Sequence, residues 1–154
     1  MAHYLIEDGL KLRQKVRAVV SCPSTGKVLL IRPHGYPEHE WTLAGGGVEA
    51  GESPVEAMRR ELAEELGIAC EDLEELPVTN RFVYSSGYRA KRNLDHDGQQ
   101  AVMFSVRLPS DAAIRIQAEE IAEARWFDPD EAAAAFPVMK QRSVFQECMV
   151  VARG

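Results

Sequence analysis

The stretch AGGGVEAGESPVEAMRRELAEELGI, residues 44–68, decides how the chain is read. From Ser53 to Leu66 its apolar positions recur with a helical period, and Val55, Met58, Leu62 and Leu66 line one side. Ser53 suits the N-cap, Pro54 the first helical position, and Glu56 completes a capping box three residues beyond Ser53. Gly67 stops the helix. Gly45-Gly46-Gly47 would be costly inside a regular element, so they predict a sharp turn or a close approach of backbone to a ligand. On the helix, Glu61, Glu64 and Glu65 fall within about 100 degrees of one another and away from the apolar stripe, which places three carboxylates on one face.

That face is unfavourable by itself. Like charges three and four apart cost roughly 0.2–0.5 kcal/mol per pair, and Glu64 and Glu65 lie where the helix dipole disfavours negative charge. A hard cation would offset the cost; all-oxygen donors suit magnesium or manganese, which bridge carboxylates to phosphates and activate water. The plainer reading is a solvated acidic face beside Arg59 and Arg60. The glycines and Glu52 at the helix start weigh against it, because they set backbone amides and another acid where a phosphate can be received.

Outward from this stretch, Val16 to Ser21 and Lys27 to Arg32 read as strands joined by the turn Cys22-Pro23-Ser24-Thr25-Gly26. Pro33 to Glu40 reads as a loop, and Trp41 to Leu43 as a short extended piece. Glu71 to Asn80 and Arg81 to Tyr84 hold strand with poor boundaries around Pro77. Ser85 to Gln100 is polar and reads as an exposed loop. Ala101 to Leu108 and Ala124 to Phe127 are strands; Asp130 to Ala135 and Met139 to Val151 are helices. The alternation predicts an α/β domain, a mixed sheet packed between helices. At 154 residues, one domain spanning residues 1–154 is expected.

The net charge of -6 excludes a global attraction for a polyanion, so no DNA recognition is expected; a small phosphorylated substrate beside a divalent cation is easier to accommodate. Cys22, Cys70 and Cys148 are odd in number and form neither a disulfide framework nor a metal motif. No signal peptide or membrane span is readable, which makes the cytoplasm the default expectation.

Gly46, Glu52 and the run Arg60-Glu61-Leu62-Ala63-Glu64-Glu65-Leu66-Gly67-Ile68 match the Nudix box at all its defining positions, over residues 46–68, and the chain resembles the Nudix hydrolase family. The resemblance implies the Nudix fold, an α/β/α sandwich with a mixed β-sheet, and hydrolysis of a nucleoside diphosphate linked to another group X with magnesium or manganese. It implies Glu61, Glu64 and Glu65 as metal ligands, with the Gly46 carbonyl a further one. Arg60 would orient the carboxylates, and Glu52 would fix the loop against the helix or assist the metal. Glu120, in the run Glu119 to Phe127, resembles an auxiliary carboxylate that serves as metal ligand or general base; Glu119 and Glu123 are the competing choices. Many relatives carry Phe-Pro before the glycines, where this chain has Leu43-Ala44.

Group X rests on other residues. Arg32, at the end of the second strand, is either a solvated strand end or a contact for a distal phosphate. Tyr84 falls where dinucleoside polyphosphate hydrolases of the family stack an aromatic ring on a base, with Tyr88 as the alternative. Gly98-Gln99-Gln100 resembles a segment of the branch holding those hydrolases and bacterial RNA pyrophosphohydrolases. Arg89, Lys91, Arg92 and His96 before it form a basic interval suited to several phosphates or an RNA 5' end. The expected substrate is a dinucleoside polyphosphate ahead of a nucleoside triphosphate, with the 5' end of RNA as the enzymatic competitor and a noncatalytic nucleotide-binding module as the reading of a different class. The chain is expected to be a monomer or a homodimer.

Overall fold

The computed structural model describes residues 1–153. Its centre is β2 (Leu10–Ser21), a strand whose two faces carry different chemistry. Leu12, Val16, Ala18 and Val20 are fully buried on one face, whereas the other carries Arg13, Lys15 and Arg17 before it becomes apolar at Val19. Four partners surround this strand. β6 (Gly98–Arg107) runs parallel to it, and β1 (Tyr4–Glu7), β3 (Val28–Pro33) and β4 (Ala44–Gly47) pair with it antiparallel. Beyond them β5 (Leu73–Val83) pairs with β6, and β7 (Ile121–Phe127) with β3, to give a seven-stranded mixed sheet.

The helix α1 (Pro54–Leu66) covers one face, packing Ala57, Met58, Leu62 and Leu66 onto Val16, Ala18, Val20 and Phe104. The opposite face takes α3 (Pro129–Ala135) and α4 (Met139–Arg153), whose Phe136 and Phe145 join Val19, Leu30, Trp41 and Met103 in a second core. The α/β/α layering follows from these two buried clusters. Among the described residues no helix is long and apolar enough to cross a membrane.

Ser53 accepts from the Glu56 N–H at 3.2 Å and Glu56 accepts from the Ser53 N–H at 3.0 Å, so the capping box is closed; Gly67 ends α1 with a left-handed φ of 66°. Other expectations need correction. The three glycines do not turn: they lie in β4, where pairing with β2 draws them along the sheet. The stretch from Ser85 is not a plain loop, because Ser85 caps a short helix α2 (Ser86–Arg92) that ends at Asn93 in the left-handed region. Leu73–Val83 is one continuous strand despite Pro77, whose missing N–H is tolerated at a sheet edge where the register slips between Glu75 and Thr79. β1 is not among the expected strands; its four residues, Tyr4-Leu5-Ile6-Glu7, are too few for a strand period to show.

Candidate active site

Arg60 is the hub of the helix face. Its Nε and Nη2 donate to the two Glu52 carboxylate oxygens at 2.8 and 2.9 Å, and Nη2 also donates to the Gly47 carbonyl at 2.9 Å. This fork ties the loop before the helix to the helix and to β4. Nη1 donates to Glu61 at 3.0 Å and Glu64 at 3.3 Å. The guanidinium holds the Glu52 carboxyl below its ordinary value, and the ring of acids pushes Arg60 further up.

The three glutamates share one helix face, as the helical period predicts, but they are not equivalent. Glu64 is exposed, Glu61 half-buried, and Glu65 only 6% exposed. Glu65 accepts from the Gly45 N–H at 2.7 Å beneath the helix. Burial raises its pKa to about 7, with the Glu61 and Glu120 charges adding to the effect. Glu61 is raised as well, first by burial. Helix and strand approach this closely only because Gly46 has no side chain: a Cβ there would lie 2.3 Å from Glu61 Oε1. The sequence expectation of close backbone approach at the glycines is therefore met by the chain itself.

Among the described residues no three His, Cys, Asp or Glu side chains converge as a ready-made ligand set. Arg60 Nη1 supplies the local counter-charge by bonding Glu61 and Glu64 together. The donor chemistry nevertheless fits a hard cation. Desolvated carboxylates with raised pKa values are relieved by a dipositive neighbour, and Glu61, Glu64, Glu65 and the Gly46 carbonyl offer oxygen only. Among the late acids, Glu120 is exposed and its charge is felt at Glu65, whereas Glu123 is engaged by Arg125 at 2.9 Å and Arg32 at 3.6 Å.

Arg32 thus lies braced on Glu123 with its guanidinium 5.8 Å from the Trp41 ring centroid. Tyr84 sits in an aromatic group, 5.1 Å from Tyr88 and 5.5 Å from His96, while Tyr4 lies 5.3 Å from His96. Arg92 stacks over Tyr88 at 5.2 Å and Arg89 bonds Asp97 at 2.7 Å. Gln99 lines a cleft on the sheet face opposite α1. Sequence reasoning missed the basic row Arg13, Lys15 and Arg17, whose signal was cations at every second position of a strand. Lys15 is held down to about 8 by burial and then by Arg17 and Arg13. A larger cleft of about 400 Å³ opens beside Cys22 and Arg107, lined by no acid.

A mixed sheet between helices, with an arginine-braced glutamate helix against a glycine strand, defines the architecture of a hydrolase acting on phosphoanhydrides. The chain belongs to the Nudix family: the NUDIX domain model matches residues 11–148. It is 32% identical over 143 residues to an RNA pyrophosphohydrolase of Halorhodospira halophila, covering 84% of this chain and 76% of that protein. It is 40% identical to an RNA pyrophosphohydrolase of Proteus mirabilis over 65 residues, 42% of this chain and 36% of that one. The fold superposes on E. coli dihydroneopterin triphosphate pyrophosphohydrolase with a TM-score of 0.75 at 23% identity, over 92% and 96% of the two chains. The chain is therefore a Nudix hydrolase, and members of this family generally use a divalent metal.

Proposed function

We propose that this protein is a magnesium-dependent pyrophosphohydrolase of nucleotides, acting as one domain on a triphosphorylated 5' end. The observation that carries this reading is the desolvated, pKa-raised pair of half-buried Glu61 and buried Glu65 against the glycine strand, with Lys15 and Arg17 on the neighbouring face. Glu61, Glu64, Glu65 and the Gly46 carbonyl would hold magnesium, with manganese as a substitute. The bound ion supplies charge neutralisation on phosphate oxygens and a lowered pKa for water. Arg60 keeps the carboxylates in place through Glu52, and Glu120, exposed near Glu65, would take the proton from the attacking water. Water attacks one phosphorus, the anhydride bond to its neighbour breaks, and Lys15 and Arg17 stabilise the charge that develops.

A 5'-triphosphorylated RNA now stands ahead of the dinucleoside polyphosphate expected from sequence. The names of the two relatives support that order, as does the grouping of Tyr84, Tyr88, His96 and Tyr4 with Arg92 beyond the cationic row. Such a platform suits the bases of a single strand that continues past its first nucleotide. Incubation with magnesium and triphosphorylated RNA should release pyrophosphate, and chelation should stop it. Preferential splitting of a dinucleoside polyphosphate would return the weight to that substrate, and turnover of neither in any metal would favour the binding module.

A further inference from the structure

Asn80 in β5 and Gln141 in the first turn of α4 come together on the sheet face opposite α1, where both line the same two adjoining cavities. Asn80 Oδ1 and Gln141 Oε1 are shielded from solvent and, among the described residues, have no hydrogen-bond partner. Buried acceptors without donors carry their full desolvation penalty, and a fold retains them where a ligand returns the missing bonds. Phe82, 46% exposed, stands at the mouth of the larger cavity, a cleft of about 160 Å³, together with Gln99 and Lys140.

The register connects this pocket to the phosphate end. Gly47 pairs with Lys15, Lys15 with Ala101, and Ala101 with Asn80. That row crosses three strand spacings, about 14 Å, from the glycine strand to the amide. Ala101 keeps the middle of the row low, and Arg17 lines the smaller cavity.

We propose that Asn80 and Gln141 recognise a 2-amino-oxopyrimidine edge, that of guanine, in the nucleotide being hydrolysed; the proposal rests on the pyrophosphohydrolase reading above and names its base. Two acceptor oxygens call for two adjacent donors. Guanine offers N1–H beside its 2-amino group, whereas adenine and cytosine offer an amino group beside an acceptor nitrogen, and uracil a single N–H between carbonyls. Phe82 supplies a face for the ring, and the Gln99 amide a donor for the 6-oxo group. Pterins carry the same edge, so a pterin triphosphate is the alternative source of this chemistry.

Hydrolysis of GTP, ITP, ATP and dihydroneopterin triphosphate with magnesium tests the pocket in the wild-type protein. GTP or the pterin should exceed ATP in kcat/KM by about tenfold or more, with ITP, which lacks the 2-amino group, falling between. Whichever of the first two is faster identifies the source of the edge. Asn80→Leu and Gln141→Leu should each lower GTP turnover by about tenfold while ATP stays within about twofold. Equal rates for GTP, the pterin and ATP, or variants that slow GTP and ATP alike, would overturn the assignment. If no nucleotide is turned over, the hydrolase reading fails by itself. Calorimetric titration with GDP and ADP then decides the pocket, with tighter GDP supporting it and equal affinity refuting it.

Discussion

The helix face around Arg60 and the sheet face around Asn80 hold polar groups in opposite ways. Around Arg60 every acid has a partner within the structure, Glu52, Glu61 and Glu64 sharing one guanidinium and Glu65 taking a backbone amide. Around Asn80 and Gln141 two buried oxygens have none among the described residues. On the function and pocket proposed above, the first region is preorganised by the chain for chemistry and the second is left for a ligand to complete. Catalysis and selection would then fall to separate elements joined by the cations of β2.

The sharpest way to break this division is at the acids. Glu61→Gln and Glu65→Gln should each lower kcat by about a hundredfold or more, as loss of metal-centred charge stabilisation does, while thermal unfolding stays near wild type. Chelation should reproduce the loss and added magnesium reverse it. An unimpaired Glu65→Gln enzyme would end the separation of roles.

Arg60→Lys keeps the charge and removes the fork. The loop at Glu52 loses its two-point tie, so kcat should fall by about tenfold with little change in KM.

Lys15→Met probes the bridge between the regions. KM for a triphosphate should rise several-fold, yet the protein should be more stable at neutral pH. Lys15 has a folded pKa of about 8 against an ordinary 10.5, so between those values the unfolded chain binds more protons and wild-type stability rises with pH. Below that window the charged, desolvated ammonium is a net cost. Denaturant titrations from pH 7 to 10 should show the slope in wild type and a flatter profile in the variant. The smallest effect belongs to Tyr84→Ala, which should weaken RNA by about fivefold through lost stacking and leave GTP unchanged.

Legibility in the sequence divides along the same line. Ser53, Pro54, Glu56 and Gly67 act within one turn of their own helix, so α1 and the Arg60 constellation were readable from consecutive residues. The burial of Glu65 was not legible because a helical period reports angle and not neighbours; it depends on Gly45 coming from another element. The helix α2 escaped notice because a seven-residue segment has too few turns for a period to show. Arg32 looked available until β7 supplied Glu123 as its partner. Asn80 and Gln141 carry no mutual spacing signal, since only the packing of α4 over β5 makes them neighbours.

Pro77 has a consequence for how copies of this protein behave toward each other. The outer margin of β5 is an open row of peptide groups, the kind of template on which a foreign strand could polymerise. A residue with no amide hydrogen, a slipped register and the exposed pair Glu74 and Glu75 interrupt that template about halfway along. These interruptions make the margin a poor template for edge-to-edge pairing beside the wall that carries Asn80.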